Sequence, residues 1–444
     1  MSLLHQDSPE SVDSGLDLFT LPPTQTSVED GNYVEYHPLA SLNQSVNIEF
    51  SIPQKASEEF LDLSNTYLHV RAKIVEADGT SLERGASVGP VNNWLHSLFE
   101  QLDISLNNVL VTSSENTYPY RAILEKTINY DRGAKKSQFS SEMYYRDSSG
   151  HFEDIKGENL KNTGALVRRS IAGMSNEVDM IGRLHADVFN MNRYLLNGVD
   201  VKLRLVKSKD SFHLIADTAE DPGGEKSFKT ELTHVSLFVR KLRLNPSVHL
   251  GIAQALRSRN AVYPINRVSI KSFAVPAGHL SQTFDNLFLS QLPTRVLVCF
   301  VDSDAFNGNL KKNPFNFKHN DVCYISLHAD GKQIPTTPLT PDFKNHLYVR
   351  SYHRLFSELG LGSKNEGNYL EVRDFPGGYA IFAFDLTPSI LDGNQIELIK
   401  SGSLRLELKF KNPLPQPIHV LLYGELDSLI EITQSREVLT DFTS

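Results

Sequence analysis

The sequence predicts an all-β protein built as two tandem jelly-roll β-sandwiches, with a few short helices in the loops. Three observations lead there. The chain has 444 residues, too many for one ordinary core at roughly 100–200 residues per domain. Its apolar residues fall mostly in short runs of period two separated by turn residues. Stretches of the first half also recur, in the same order, in the second half.

Residues 1–40 are polar and acidic, with Pro22-Pro23 and many Ser and Thr, and read as an extended arm. Asn47–Ile52 then alternates apolar and polar residues. So does Tyr67–Ile74, which runs to a hairpin-type Asp78-Gly79. Helical spacing is rarer. It occurs at Val91-Trp94-Leu95-Leu98-Leu102, Tyr120-Ile123-Leu124-Thr127, Val248-Ile252-Leu256 and Tyr348-Tyr352-Leu355-Phe356-Leu359. The third of these follows Asn245-Pro246-Ser247, a helix-start pattern, and marks the expected link between domains. Strand texture returns at Arg267–Val275, Thr294–Val301, Val322–Leu327, Tyr379–Leu386, Leu404–Phe410 and Ile418–Tyr423. The expected division is an arm at 1–40, a first roll at 41–245, a linker helix at 246–262, a second roll at 263–434 and a tail at 435–444.

The internal similarity is faint but ordered. Phe50-Ser51-Ile52-Pro53 pairs with Phe273-Ala274-Val275-Pro276, and Phe60 and Asp62 with Phe284-Asp285. Leu68–Ile74 then pairs with Arg295–Val301, and Asp103–Leu106 with Tyr324–Leu327. Tyr120–Glu125 matches His353–Glu358, Gly198–Leu205 matches Gly402–Leu408, and His234–Phe238 matches His419–Tyr423. The separation narrows toward the end, so the first copy must carry longer late loops. Asp131–Leu196 and Ser208–Lys229, rich in Gly, Ser, Asp and Lys, are the expected insertions and are read as exposed. Two related β-domains of this size with elaborated connections suit jelly rolls. Immunoglobulin modules or propellers would show shorter, more regular spacing.

Composition narrows the function. Net charge is −9, and Lys55 is the first Lys or Arg of the chain, so direct packing against phosphate backbones is disfavoured. No apolar run approaches the roughly 20 residues of a membrane span, and no secretory signal is visible. The two cysteines, Cys299 and Cys323, lie in apolar runs and read as reduced core thiols of a chain made inside a cell. Gly223-Gly224-Glu225-Lys226-Ser227 lacks the first glycine of a phosphate loop and reads as a solvated turn. His151-Phe152-Glu153 has the spacing of zinc deaminases without their cysteines. His69 and His234 read as edge or interface residues. Lys135-Lys136 and Arg168-Arg169 read as solvated or subunit-interface pairs, with a nucleic-acid patch the weaker alternative. The Asn43-Gln44-Ser45 sequon would matter only in a secreted chain. No residue is singled out as catalytic, cofactor-binding or metal-ligating, and no cofactor is expected.

A set of segments gives the chain a family likeness. They are Leu16–Phe19, Pro22–Thr26, Gly89–Asn92 with Leu95–Phe99, Tyr118–Arg121, Leu195–Asp200, Asn313–Phe317, Gly424–Asp427 and Ile432 to Arg436. In this order the chain resembles the major capsid proteins of Maverick/Polinton transposable elements and of adintoviruses. The resemblance implies a double jelly roll whose homotrimers are pseudo-hexagonal and tile an icosahedral shell. It implies neighbouring capsomers, penton and minor capsid proteins as partners, and a place in the virion after synthesis in the host cytoplasm or nucleus. The competing reading is a tandem jelly-roll hydrolase acting on carbohydrate or amide bonds. A carbohydrate-binding module is a third, weakened by there being one tryptophan, Trp94.

Overall fold

The computed structural model describes the chain except residues 1–6, 10, 43–46, 55–57, 114, 156–160, 218–226, 289–290, 389–399 and 443–444. Asn43 of the sequon and Gly223–Lys226 of the glycine-rich turn lie outside the described residues.

Ten strands come from the first half: β1 Val28–Tyr36, β2 Asn47–Ile52, β3 Phe60–Glu76, β4 Val88–Pro90, β5 Phe99–Leu106, β6 Val109–Leu110, β7 Val178–Arg183, β8 Val201–Lys207, β9 Leu214–Ala216 and β10 Phe228–Leu244. Nine come from the second: β11 Ala261–Val275, β12 Ser281–Phe284, β13 Arg295–Asp302, β14 Val322–Ala329, β15 Lys332–Leu339, β16 Phe382–Asp385, β17 Leu404–Phe410, β18 Ile418–Ile432 and β19 Val438–Thr440. The α-helices are α1 Trp94–Ser97, α2 Tyr118–Asn129, α3 Arg132–Lys136, α4 Thr163–Ala172, α5 Asp210–His213, α6 Pro246–Ala255, α7 Ser303–Asn307 and α8 Val349–Glu358.

The first roll has sheets ordered β1-β10-β3-β7 and β2-β8-β5-β6. The second has β11-β18-β13-β16, with β19 added to β18, and β12-β17-β14-β15. With the short β4-β9 ladder set aside, the two orders are the same. In each roll the first strand pairs with the last, the last with the third and the third with the sixth, while the second pairs with the seventh, the seventh with the fourth and the fourth with the fifth. Even the tightest hairpin repeats. Asn107-Asn108 joins β5 to β6 and Asp330-Gly331 joins β14 to β15, all four at positive φ, as the primed two-residue turns of twisted hairpins require.

This topology checks the internal repeat strand by strand. The last five matched stretches fall on equivalent elements: β3 with β13, β5 with β14, α2 with α8, β8 with β17 and β10 with β18. The first two do not. Phe50 lies on β2, whereas Phe273 lies on β11, the counterpart of β1. Short Phe-containing strands resemble one another whatever their place, so the texture carried no register there.

Three other expectations shift. β1 lies within the stretch read as an arm and pairs along β10 from Val28↔Leu244 to Tyr36↔Leu237. The Val91–Leu102 pattern is not one helix: α1 is a single turn between β4 and β5, and Leu102 faces inward on β5 with Ile104 and Leu106. Asn93, in the left-handed region at φ 58, breaks the chain before α1. Finally, α6 ends at Ala255 and β11 begins at Ala261, so the linker helix is shorter than expected; Asn245 caps it by accepting from Ser247 N–H at 3.0 Å.

The central strands β13 and β18 of the second roll's sheet β11-β18-β13-β16 are buried on both faces. On β13, Val296, Val298 and Phe300 enter the core of their own roll, while Leu297, Cys299 and Val301 enter a separate apolar cluster against the first roll. This explains the unbroken apolar run of β13, which alternation alone does not. On β3 the equivalent alternation is one-sided. Leu68, Val70, Ala72 and Ile74 are buried, and His69, Arg71 and Lys73 face outward.

Candidate assembly site at the seam between the rolls

The seam is filled chiefly by α2 and by the segment between α2 and β8. Tyr120 of α2 stacks on Phe306 (5.6 Å between centroids) and meets Phe212 and Phe315 edge-on. Ile123, Leu124 and Ile128 pack against Val268, Ile270, Leu421 and Tyr423 of the second roll in the same cluster. A helix buried on nearly all sides needs partners for its polar groups. Arg121 Nε donates to Glu125 Oε1 at 2.7 Å and Arg121 Nη2 to Asp187 Oδ1 at 2.5 Å. Asp187 crosses the seam by accepting the Val268 N–H at 3.1 Å. Burial pushes the Glu125 carboxyl up, but Arg121 and His185 overcome it and hold Glu125 at about 2.

The Asp131–Leu196 segment, expected as exposed loops, is much of the cement. It contributes β7 to a sheet, and two of its basic residues, Lys135 and Arg168, are buried rather than solvated. Arg168 is fully buried: Nε donates to Pro90 O at 2.9 Å, Nη2 to Asp147 Oδ1 at 2.6 Å, and Nη1 to Tyr145 O. Asp147 also accepts from Asn162 Nδ2 (2.8 Å) and Asn313 Nδ2 (3.3 Å), and its carbonyl accepts from Tyr379 Oη at 2.7 Å. Asn313 and Tyr379 belong to the second roll, so this network bolts the two rolls together. Gly164 allows it: a Cβ there would lie 2.3 Å from Arg146 O. Lys135 donates to Thr127 O at 2.7 Å and to Asn368 O at 2.6 Å, again across the seam. Burial, then the neighbouring Arg146, pushes its amine down to about 7. Lys136 and Arg169 are only partly buried or exposed, and Arg169 donates to Gly85 O, Ala86 O and Ile155 O. No signal in a single sequence separates a buried Lys or Arg from a solvated one, because the partners are carbonyls distant along the chain.

A second polar cluster lies at the first-roll wall of the seam. His96 Nε2 is 2.8 Å from Glu142 Oε2, and its Nδ1 is 2.8 Å from Tyr118 Oη. Lys126 Nζ reaches Asn93 Oδ1 at 2.5 Å and also Glu142. His185 Nδ1 is 2.6 Å from Glu125 Oε2. Burial, then Lys126, pushes His96 well below the ordinary imidazole range, and burial also lowers His185. Beside them a cavity of about 700 Å³ opens between the rolls, lined by Glu142, His185, Asn192, Asn266, Glu425 and others. The remaining residues from the sequence reading are not gathered into one site. His69 and His234 lie together on the outer face of the first roll, 5.0 Å between rings. His151 is half-buried, while Phe152 beside it packs on Tyr379. Cys299 is buried, which raises its thiol, and Cys323 is half-buried.

Comparisons with known proteins fit this geometry. No protein-family model matches the chain. It is 26% identical over 432 residues to the uncharacterized protein F54H12.2 of Caenorhabditis elegans, covering 95% of this chain and 99% of that one. It superposes on a chain of the Sputnik virophage cryo-EM structure with a TM-score of 0.67 and 12% identity, over 99% of this chain and 94% of that one. The double jelly roll is its fold. The mavirus major capsid protein gives 0.56 at 11% identity, over 100% and 97% of the two chains. The PBCV-1 capsid gives 0.58 at 8% identity, over 96% and 100%. The mavirus and PBCV-1 neighbours are capsid proteins, not enzymes. The segments Gly89–Asn92, Tyr118–Arg121 and Asn313–Phe317 meet at this seam. No helix of the described residues is long and apolar enough to cross a membrane.

Proposed function

We propose that this chain is a major capsid protein of the Maverick/Polinton and adintovirus kind, whose homotrimers tile an icosahedral shell. One observation carries the assembly reading. In the second roll the outer face of β11-β18-β13-β16 is covered by α2 and its surroundings. The equivalent outer face in the first roll, on β1-β10-β3-β7, is open. It presents Tyr33, Tyr67, His69, Arg71, Ile181 and Phe238, with Tyr33 51% and Ile181 39% exposed. The counterpart of α2 is α8, which keeps an exposed side carrying Val349 (53%) and His353. A head-to-tail ring that sets α8 of one copy on the open sheet of the next repeats between chains the contact made within each chain. Such a heterologous interface closes if the rotation suits. Two like rolls per chain make three copies pseudo-hexagonal.

The long connections of the first copy then lie toward the seam, and their exposed parts are left for contacts between capsomers. The stretch before β1 is the part of the arm free to reach a neighbour, a penton or a minor capsid protein: Leu18, Phe19 and Leu21 are all exposed. The net charge of −9 argues against genome packing by this chain. The proposed location is the virion.

Light scattering on the purified chain tests the reading. The expected mass is three times 49.8 kDa, with Ile181→Glu and Val349→Glu each shifting the protein toward monomer while circular dichroism stays unchanged. A monomer at every salt and pH tried would refute it. Trimers that persist in both variants would refute the proposed pairing of faces.

A further inference from the structure

The cluster of His96, Glu142 and His185 has the composition and supports of a metal site. We propose that these three residues bind a zinc-class divalent ion in the wall of the seam, with the remaining position turned to the cavity. One ring nitrogen or carboxylate oxygen from each lies within 4.8 Å of those of the other two, and all three residues are buried. Two imidazoles and one carboxylate suit a four-coordinate ion that leaves one position open.

The supports are what distinguish this cluster from a chance meeting. His185 Nδ1 is held by Glu125 Oε2 at 2.6 Å, which leaves Nε2 to coordinate. A carboxylate behind a ligating histidine fixes its tautomer and strengthens it as a ligand. His96 Nδ1 is held by the Tyr118 hydroxyl at 2.8 Å, and its Nε2 points toward Glu142. The two rings stand nearly perpendicular, 4.7 Å apart, so they approach one point from different directions. Glu142 reaches them because β7 carries Gly182 beside it: a Cβ there would lie 2.4 Å from Glu142 Cδ. Glu142 and His185 both line the cavity, which gives an ion a way in.

The three ligands come from three separate places: α1, the turn before Met143, and the chain just after β7. An ion there would tie the long α2–β8 segment to the β5 side of the first roll. Lys126 is the competitor, since its amine already contacts Glu142 and Asn93.

The full chain, stripped by a chelator and reloaded with Zn²⁺ or Co²⁺, decides the matter. The expected result is about one ion per chain by mass spectrometry, a tetrahedral Co²⁺ visible spectrum, and a Zn²⁺-dependent rise in melting temperature. His185→Ala and Glu142→Gln should lose all three, and His234→Ala should keep them. Lys126→Met should tighten Zn²⁺ binding, because the competing amine is gone. Wild-type protein without a stoichiometric ion overturns the proposal, as does an ion kept by both ligand variants. If those variants fail to fold, the Co²⁺ spectrum of the wild type and the response to Lys126→Met decide. An octahedral spectrum, or weaker binding by Lys126→Met, counts against the site.

Discussion

Arg168→Met tests whether the seam is held by its buried guanidinium. Methionine keeps the length and apolar bulk of the stem, so little cavity forms. What is lost is three hydrogen bonds, to Pro90 O, Tyr145 O and Asp147 Oδ1. Asp147 keeps only its neutral donors Asn162 and Asn313 while remaining buried. Breaking a buried ion pair from one side costs about 3–5 kcal/mol, because a charge is left uncompensated in low dielectric. A solvated arginine replaced in the same way costs under ~0.5 kcal/mol. The assay is urea unfolding followed by circular dichroism, with the change read as a lower midpoint at unchanged slope. The double variant Arg168→Met with Asp147→Leu should recover much of the loss, since no charge then remains to desolvate. A loss below ~1 kcal/mol, or strict additivity of the two substitutions, would show that the buried guanidinium does not hold the seam.

Three further outcomes follow, one from the seam and two from the β1 edge. Lys135, pushed down to about 7 in the fold from an ordinary 10.5, is protonated in both states below pH 7, where the fold bears the full burial penalty. As pH rises from about 7 to 10.5, the unfolded chain holds the extra proton, so stability should climb by roughly 3–5 kcal/mol from this group; parallel pH profiles for wild type and Lys135→Met would contradict this. Removing residues 1–26 should leave folding and trimers intact while impairing higher assembly. Removing 1–40 also strips β1 from β10 and exposes that strand's edge, so it should lower the melting temperature, and equal stability of the two truncations would show that β1 contributes nothing.

Much of the candidate site was hidden from the sequence for the same reason that its charges are buried. Arg168, Lys135 and His96 are satisfied by carbonyls and side chains 8 to 233 positions away along the chain. Composition marks such residues as surface, since Lys and Arg are rarely buried unless paired. Only the fold supplies the pair. The glycines that admit Arg168 and Glu142 are likewise indistinguishable in sequence from turn glycines, since Gly164 and Gly182 sit within a helix and a strand.

The sequence by itself determined the class of fold and its doubling. Period-two alternation is a local consequence of strand geometry and one buried face, so it survives in the residues of β2, β3, β8 and β17. The order of the later repeats survives because equivalent strands meet equivalent surroundings. Tertiary structure alone decided which strand is equivalent to which at the start of each copy, because register depends on the partner strand and not on texture. It also decided that Val91–Leu102 turns from strand to helix to strand, since Val91 is buried at the seam while Trp94, Leu95 and Leu102 are buried in the core of the first roll. And it decided that one sheet of the second roll is covered on both faces at its central strands while its twin in the first roll lies open. That asymmetry between two like domains is a property of their contact, written in neither one.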